Sequence, residues 1–147
     1  LREVKKWEQP IISDHSSSLN GFLVSKINNT MHYLLRIIIE PGFDKSKYTS
    51  TIFEKNFSLN SRKNIKFLSF FKKKNCSMDI INSDEGGRFL KNQTRNMICE
   101  IKDHNKIKLY DNFVWASHNQ IVELINQNKM TIEARNLFAS CNVDKIK

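Results

Sequence analysis

The hydrophobic and polar positions of the chain fall into two patterns, and the first is typical of β-strands. Between Gly21 and Glu40, the stretches GFLVSKI and MHYLLRIIIE are rich in aliphatic and β-branched residues and are separated by NNT. Such stretches favour paired strands, and asparagines between them favour a tight turn. The pattern predicts a β-hairpin that closes near Asn28 and Asn29 and ends at the following Pro-Gly pair.

Shorter patterns predict the elements around this hairpin. The polar stretch before it, SDHSSSLNG at residues 13–21, is typical of a loop, because serine, asparagine and glycine favour turns. The charged stretch KKKN, residues 72–75, predicts a solvated turn. Apolar stretches predict further strands at residues 51–53, 65–71, 77–81 and 97–102.

The second pattern, in the last third of the chain, has helical periodicity. Ser117 and Gln120 stand at capping-box spacing, and Thr131 is a second N-cap candidate. Apolar residues then recur every three or four positions, which predicts one helix at about 118–127 and another after Thr131. The positions expected to face the core are Ile121, Leu124, Ile125, Ala134, Leu137 and Phe138.

Strands followed by capped helices predict an α+β fold in which a sheet packs against two C-terminal helices. The 147 residues have the size of one domain and contain no internal repeat. A hydrophobic share of 39%, with ten phenylalanines and two tryptophans, indicates a folded globule rather than a disordered basic tail. We therefore expect residues 1–147 to form a single module.

The net charge of +9 predicts an anionic partner, which could be a nucleic acid, a membrane surface or a phosphorylated small molecule. A nucleic acid is disfavoured because aromatic residues and lysines do not interleave as a stacking groove requires. A membrane span is not expected, because Arg36 and Glu40 interrupt the longest apolar stretch, which is also too short. The absence of a P-loop and of G-x-G-x-x-G disfavours a standard nucleotide fold.

The three cysteines, Cys76, Cys99 and Cys141, are widely separated and form no C-x-x-C pair. No histidine stands at zinc-ligand spacing from them, so a metal site is not expected. We interpret the cysteines as reduced thiols, which indicates a cytoplasmic protein.

The segment SDEGGRFLKNQTRNMICEI, residues 83–101, concentrates the candidate chemistry. It holds two of the four glycines, Gly86 and Gly87, followed by Arg88 and later by Arg95. Adjacent glycines let backbone approach a ligand closely, and a guanidinium can grip a phosphate or carboxylate with two parallel hydrogen bonds. A strand bulge and ordinary surface ion pairs are the plainer alternatives.

Four collinear motifs carry the interpretation further: HYLLRIIIEPG, SDEGGRFLKNQTRNMICEI, FVWASHNQIVELINQN and MTIEARNLFA. In order and content they resemble the NDP-hexose 2,3-dehydratases of deoxysugar biosynthesis, which show H-F-L…E-P-G, E-Q-G-G-R-F…N-R-N-M…E, F-R-W-L-T…Q-L and N-M-D-A-R. The matching positions are His32, Leu34, Glu40, Pro41, Gly42, Glu85, Gly86, Gly87, Arg88, Phe89, Arg95, Asn96, Met97, Glu100, Trp115, Ala134 and Arg135.

The resemblance implies a Nudix-like α+β fold, a mixed β-sheet packed with helices, without the metal-binding Nudix signature. It also implies a reaction on an NDP-4-keto-6-deoxyhexose, typically dTDP-4-keto-6-deoxyglucose, with no cofactor and no metal. In that reaction the C3 proton, which the C4 ketone acidifies, is removed, and the C2 hydroxyl leaves as water. A dTDP-sugar would then be the anionic partner.

This chemistry needs a base near C3, an acid near the C2 oxygen and donors to the oxyanion at C4. By motif position, Glu85 or His32 would transfer the proton, and Arg88 and Arg95 would bind the diphosphate or the oxyanion. Arg135 would line the pocket or, alternatively, lock the last helix to the sheet. The remaining residues expected to frame the pocket are Gly86, Gly87, Thr51, Asn96 and Trp115.

Two departures from the family pattern bear on function. Family chains usually carry two homologous modules, whereas this sequence carries one, so we expect a homodimer that recreates the pair. Where the family has P-T-V-Q and then T-x-S-N-Y, this chain has STIFEKNFSLNS, so that Phe53 stands at the glutamine position. The alternative to an enzyme is therefore a non-catalytic sugar-nucleotide-binding or dimerisation module of the same fold.

Overall fold

A computed structural model describes residues 10–13, 17–55, 65–83, 89–90 and 92–141. A mixed sheet is followed by two helices, neither of which is long and apolar enough to cross a membrane. The elements are β1 (Ile12–Ser13), β2 (Ser17–Ile27), β3 (Thr30–Ile38), β4 (Lys47–Thr49), β5 (Ile52–Glu54), β6 (Cys76–Ser83), β7 (Phe89–Leu90), β8 (Gln93–Glu100), β9 (Phe113–Ser117), α1 (His118–Asn126) and α2 (Ile132–Ser140).

The predicted hairpin is confirmed, and its turn explains the two asparagines between the strands. β2 and β3 pair antiparallel up to Ile27, which lies opposite Thr30. Asn28 and Asn29 have φ angles of 49° and 61°. Two-residue turns of type I′, which match the twist of the strands, need positive φ at both positions, and asparagine tolerates that conformation better than most residues.

Beyond the paired part of the hairpin, β2 and β3 diverge, and the segment that carries β4 and β5 lies between them. β4 pairs with the end of β3, and β5 pairs with the start of β2. We call residues 47–54 the wedge. Where the strands part, the buried Thr51 hydroxyl accepts from the Leu23 N–H at 2.9 Å and donates to the Leu34 carbonyl. A side chain thus replaces the backbone ladder at this point.

β2 lies at the centre of the sheet. It pairs in parallel with β8, which pairs antiparallel with β6, and β9 pairs with the far side of β3. β1 and β7 form a separate, short parallel pair. The mixed sheet expected from the sequence is therefore confirmed.

The helices cover one face of the sheet and begin where the sequence predicts. Ser117 and Gln120 form a reciprocal capping box, and the Thr131 hydroxyl accepts from the Ala134 N–H at 3.3 Å. These caps satisfy N–H groups that have no partner within a helix. The residues buried on this face are Phe22, Val24, Tyr33, Leu35, Ile98, Ala116, Ile121, Met130, Ala134, Leu137 and Phe138.

Tyr33 lies at the centre of this core. Its ring is edge-on to Phe22 and Phe138, with ring centroids 5.6 and 5.3 Å apart. Burial raises the pKa of Tyr33 to about 12, and the charge of Cys141 adds to the shift. The phenol is therefore neutral at physiological pH.

The opposite face is covered by irregular chain, and here one prediction is wrong. Residues 65–71 do not form a strand: they form a turn and a 3-10 helix, Leu68–Phe70. The ring of Phe67 packs edge-on against Phe113 at 4.9 Å, and Phe71 lies on Gly21, where an added Cβ would stand 2.2 Å from the ring. This apolar stretch packs on the face of the sheet and does not pair with a strand. Periodicity does not distinguish these two arrangements for short apolar stretches.

Other boundaries differ less. The stretch 13–21 is not a continuous loop, because β2 already begins at Ser17. The strand predicted at 97–102 is β8, which begins at Gln93, and β9 was not predicted. The strand expected at 77–81 is confirmed as β6, and the one expected at 51–53 is confirmed as β5. The solvated turn at 72–75 is confirmed as an exposed 3-10 turn.

The prediction of reduced thiols is wrong for two of the three cysteines. Cys76 and Cys99 lie opposite each other on β6 and β8 and are joined in a disulfide. They are 23 residues apart, so their spacing gave no sign of the pairing. Because Cys99 is fully buried, the bond ties β6 to the interior of the sheet.

Candidate functional site

The candidate residues do not form a single cluster. Arg95 lies opposite Leu19 on β2, whereas His32 lies opposite Ser25. Positions 19 and 25 are separated by about 20 Å along the strand, at roughly 3.3 Å per residue. We call the end of the sheet near Leu19 the wedge end and the end near the hairpin turn the hairpin end. Two further candidates, Asn96 and Arg135, lie toward the wedge end, and Thr51 lies between the two levels, where its hydroxyl bonds Leu23.

The predicted diglycine site, residues 85–88, lies outside the described residues, and its members stay predictions. The strands that flank it are described. β6 ends at Ser83 opposite Gln93, the first residue of β8, and Gln93 pairs with Ser17 at the start of β2. The end of β6, which precedes the segment, and the start of β8, which follows it after β7, are therefore both at the wedge end.

Arg95 is held in place by a carboxylate that the sequence analysis did not single out. Its Nε and Nη2 donate to the two carboxylate oxygens of Asp79 on β6, each at 2.7 Å. The hydrogen bond from Arg95 holds the pKa of Asp79 below its ordinary value of 3.8, and the same bond raises the pKa of Arg95. Arg95 lines a cleft of about 320 Å³ with Ser17 and Phe71. Asp79 thus orients the guanidinium and compensates its charge.

Asn96 belongs to a buried polar network. Its side-chain oxygen accepts from Asn20 Nδ2 at 3.1 Å, and the same nitrogen donates to the Glu133 carbonyl of α2 at 3.1 Å. The Ser50 hydroxyl donates to Asn20 Oδ1 at 2.6 Å. The network joins β2, β8, the wedge and α2. Substrate contacts of Asn96 and of the buried Thr51 stay predictions, since the described bonds of both side chains are internal to the fold.

His32 and Trp115 lie away from this network. The Nδ1 of His32 is 2.9 Å from the carbonyl oxygen of Thr30, two residues earlier. The indole of Trp115 on β9 is edge-on to His104, with ring centroids 6.4 Å apart, and its buried Nε1 has no partner among the described residues. The structure therefore does not bring His32 next to Arg95.

Arg135 lines a second cleft, of about 290 Å³, on the side of the sheet covered by the helices. We call it the helix-face cleft. Its walls are the turn after β3, the wedge and the first turn of α2. The Lys47 ammonium lies 5.0 Å from the Phe43 ring centroid, and that of Lys55 lies 5.9 Å from the Phe53 centroid. The cleft therefore combines three cations with two aromatic rings.

The groups at the wedge end suit anions and hydroxylated ligands. Guanidinium and ammonium groups donate to phosphate, and amides and hydroxyls bond sugar hydroxyls. Within the described part of the chain, no three His, Cys, Asp or Glu side chains lie close enough together to hold a metal ion. The described groups thus offer hydrogen bonds and positive charge to a ligand.

The sequence profile described as NDP-hexose 2,3-dehydratase matches residues 1–141. The chain belongs to this family. The match confirms the resemblance that the four motifs indicated, and it covers both ends of the sheet described above. The NDP-hexose 2,3-dehydratase family therefore supplies the context in which the wedge end is interpreted.

Curated relatives of the chain include two named dTDP-4-dehydro-6-deoxy-alpha-D-glucopyranose 2,3-dehydratase. The Amycolatopsis orientalis protein is 25% identical over 132 residues, which are 85% of this chain and 28% of the relative. The Saccharopolyspora spinosa protein is 23% identical over 142 residues, which are 92% of this chain and 29% of the relative. The chain thus spans under a third of the length of these relatives.

Two solved structures align with this chain at low sequence identity. The NUDIX domain of Shewanella oneidensis NrtR, complexed with ADP ribose, aligns over 99% of this chain and 94% of its own, with a TM-score of 0.49 and 8% identity. A C. elegans Ap4A hydrolase binary complex aligns over 89% of this chain and 98% of its own, with a TM-score of 0.51 and 8% identity. The Nudix-like α+β fold predicted from the sequence is confirmed.

Proposed function

We propose that this chain acts in the dehydration of an NDP-4-keto-6-deoxyhexose, with dTDP-4-keto-6-deoxyglucose as the substrate. Membership of the NDP-hexose 2,3-dehydratase family supports the reaction, and the names of the relatives support the dTDP-linked 6-deoxyglucose. The helix-face cleft, whose lining holds three cations and two carboxylates, supports an anionic sugar nucleotide as the ligand.

The reaction requires one proton to leave C3 and one hydroxyl to leave C2. A base takes the C3 proton, and the electron pair forms an enolate across C3 and C4 that hydrogen-bond donors stabilise. The pair then forms the C2–C3 double bond while the C2 hydroxyl leaves with a proton as water. The overall change is an elimination without oxidation or reduction, so the residues need only move protons and stabilise charge.

The observation that carries the assignment of residues is the position of Arg95 beside the strand ends that flank residues 85–88. We propose Glu85 as the base and Arg88 with Arg95 as donors to the developing oxyanion, with Gly86 and Gly87 allowing close approach of the backbone. His32, the other candidate for proton transfer, lies about 20 Å from the level of Arg95, at roughly 3.3 Å per strand residue. This separation supports Glu85 over His32.

The test is incubation of the purified protein with dTDP-4-keto-6-deoxyglucose, followed by mass spectrometry for the loss of one water. We expect Glu85→Gln to lower the rate by about 10² to 10⁴ and His32→Gln to change it little. Glu123→Gln, a change of the same type on the exposed side of α1, is the matched control. Water loss that survives Glu85→Gln but not His32→Gln would reverse the assignment.

A non-catalytic binding module is the second candidate, and one observation favours it. Phe53, at the position where the family pattern has glutamine, lines the helix-face cleft beside Arg135. An apolar ring at that position removes a hydrogen-bonding group from the cleft. Saturable dTDP binding without any water loss would support this second candidate and exclude catalysis by the chain on its own.

The homodimer and the cytoplasmic location are proposals as well. The usual presence of two modules in family chains supports a pair of copies, which light scattering after size exclusion would show as a doubled mass. The cytoplasmic proposal rested on reduced thiols, and the Cys76–Cys99 disulfide counts against that reasoning. Fractionation of the source cells with a thiol-trapping label would test location and thiol state together.

A further inference from the structure

The Cys76–Cys99 disulfide joins two cysteines in unlike surroundings, and the reaction proposed above uses neither of them. We propose that this pair is a thiol-exchange site, at which Cys76 reacts with the disulfide of a small thiol such as glutathione and Cys99 closes the bond. Closure fixes β6 against β8, and reduction releases it. This chemistry is separate from the dehydration and can be tested without a sugar nucleotide.

The two sulfurs differ in their access to solvent. Cys99 on β8 is fully buried in the core on the face of the sheet opposite the helices. Cys76 is partly exposed at the first residue of β6, and its Sγ lies 3.2 Å from the Lys72 carbonyl oxygen. Thiol–disulfide exchange needs direct access of one sulfur to another. A small thiol or disulfide therefore reacts at Cys76 rather than at Cys99.

The chain before Cys76 favours the reactive form of its thiol. Lys72, Lys73 and Lys74 are exposed, and a 3-10 turn holds them next to the start of β6. The thiolate is the nucleophile in exchange, and neighbouring cations stabilise it. The same lysines attract glutathione disulfide, which is anionic. Cys141 is also partly exposed, but the five residues before it include no lysine or arginine, so we expect it to react more slowly than Cys76.

The exchange takes place in two steps. The Cys76 thiolate attacks one sulfur of glutathione disulfide, so that a bond from Cys76 to glutathione forms, the glutathione S–S bond breaks and one glutathione thiolate leaves. Cys99 then loses its proton and attacks the Cys76 sulfur, which forms the Cys76–Cys99 bond and releases the second glutathione. The two cysteines lose two electrons, and glutathione disulfide gains them. Reduction by glutathione follows the same steps in reverse.

Closure of the disulfide acts on a strand at the edge of the sheet. Among the described residues, β6 pairs only with β8, and their register is irregular between Cys76 and Met78. Three residues after Cys76, Asp79 accepts hydrogen bonds from Arg95 of β8. The disulfide and the ion pair thus link the same two strands. Reduction leaves β6 to its backbone ladder and to a partly exposed ion pair, so we expect the strand to open more often.

The first test is a redox titration of the full chain, from reduced glutathione alone to an excess of glutathione disulfide. Thiols are alkylated after an acid quench and mapped by peptide mass spectrometry. We expect the Cys76–Cys99 bond to pass from open to closed within this range. A bond that stays closed in reduced glutathione would show a permanent structural disulfide and overturn the exchange. A pair that stays open in excess glutathione disulfide would overturn it as well.

The second test identifies the reacting sulfur with variants that cannot close the bond. In Cys99→Ala, glutathione disulfide should leave a stable adduct on Cys76. In Cys76→Ala, the buried Cys99 should react about ten-fold more slowly or less. Thermal melts of both variants check folding. Adducts that form at equal rates on Cys76 and Cys99 would overturn the assignment of Cys76 as the reacting cysteine.

The role of the lysines is tested in chains that keep both cysteines. We expect Lys73→Gln combined with Lys74→Gln to slow closure by about three-fold to ten-fold, because fewer Cys76 thiols are ionised. Lys45→Gln combined with Lys129→Gln removes the same charge from exposed positions elsewhere and should leave the rate unchanged. Equal rates in the two double variants would show that the lysines do not activate Cys76. These variants give a result even if Cys99→Ala does not fold.

The third test measures what closure does to the sheet. We expect amide hydrogen exchange in β6 to be about ten-fold faster in the reduced chain than in the oxidised chain, with α1 as the unchanged reference. Equal exchange in both forms would show that closure does not fix β6. None of these measurements uses a sugar nucleotide. Failure of the dehydration therefore leaves the result for Cys76 and Cys99 intact, and failure of the exchange leaves the dehydration open to its own test.

Discussion

The two ends of the sheet are held together in different ways. At the hairpin end, β2 and β3 are joined by backbone hydrogen bonds and by a two-residue turn whose asparagines are exposed. At the wedge end the same strands separate, and buried side chains make the connections: Thr51 between the strands, Ser50 and Asn20 between the wedge and β2. Where the strands diverge, β4 and β5 pair with part of the freed backbone, and the Thr51 hydroxyl bonds the Leu23 N–H and the Leu34 carbonyl at the fork.

The difference between the hairpin end and the wedge end bears on where a ligand binds. Clefts lie on both faces of the sheet at the wedge end, one lined by Arg95 and the other by Arg135. The buried network fixes the elements that carry these arginines, as a binding site requires of its supporting residues. The following predictions test the contrast, beginning with the largest expected effect.

Thr51→Val should give the largest loss of stability. The variant keeps the shape of the side chain but leaves the Leu23 N–H and the Leu34 carbonyl buried without their partner. We expect a loss of about 2–4 kcal/mol in the free energy of unfolding, measured with urea. Thr30→Val at the exposed hairpin end should change it by about 0.5 kcal/mol or less. Equal losses at both ends would contradict the proposed role of the wedge.

Asn20→Ala should detach α2 from the sheet more than it unfolds the whole domain. The variant removes the donor to the Glu133 carbonyl and the acceptor of the Ser50 hydroxyl. We expect a loss of about 1–3 kcal/mol, with faster amide hydrogen exchange in α2 than in α1. Asn119→Ala, on the exposed side of α1, serves as the control. Exchange that quickens equally in both helices would show that the network is not specific to α2.

Asn29→Gly should stabilise the hairpin end slightly. Asn29 has a φ of 61°, and glycine adopts that conformation without steric cost. We expect a gain of about 0.5 kcal/mol in the free energy of unfolding. Asn105→Gly, at a position without positive φ, should instead lower stability. A loss at position 29 would show that the asparagine side chain contributes more to the turn than its backbone conformation does.

Asp79→Asn should alter the response to acid by a small amount. Because the folded-state pKa of Asp79 lies below 3.8, the pair with Arg95 stabilises the fold above that pH and loses the contribution as the pH falls through the lowered value. Arg95 is 46% exposed, so screening limits the contribution to about 0.5 kcal/mol. Urea unfolding at neutral pH and well below pH 3.8 should show a smaller difference in the variant than in the wild type. An unchanged difference would mean that other carboxylates account for the acid response.

Short-range patterns predicted much of the fold but not that the wedge lies between β2 and β3. The asparagine turn and the caps at Ser117 and Thr131 depend on residues within about four positions, and all three were found where expected. The stretch 65–71 has the composition of a strand, yet it caps the sheet because its rings pack on Phe113 and Gly21. The composition of a stretch does not indicate whether another strand is available to pair with it.

The candidate site was likewise predicted only in part. Motif order in the sequence identified the family and drew attention to Arg95, Asn96 and Arg135. The partners that define their surroundings were missed, because Asp79 is 16 residues from Arg95 and Glu133 is 113 residues from Asn20. No short-range signal marks such pairs. Polar residues inside a strand, such as Asn20, were the available hint, since a buried amide requires hydrogen-bond partners.

The sequence by itself determined the family, the β2–β3 hairpin and the two C-terminal helices with their caps, since these follow from motif order and from contacts within a turn. Only the tertiary structure decided that β2 and β3 separate, that Cys76 meets Cys99, and that Arg95 is paired with Asp79 while Arg135 has no ion-pair partner among the described residues. These features depend on which distant segments become neighbours when the sheet forms. That choice is made by the packing and hydrogen bonding of the whole chain rather than by any single stretch of it.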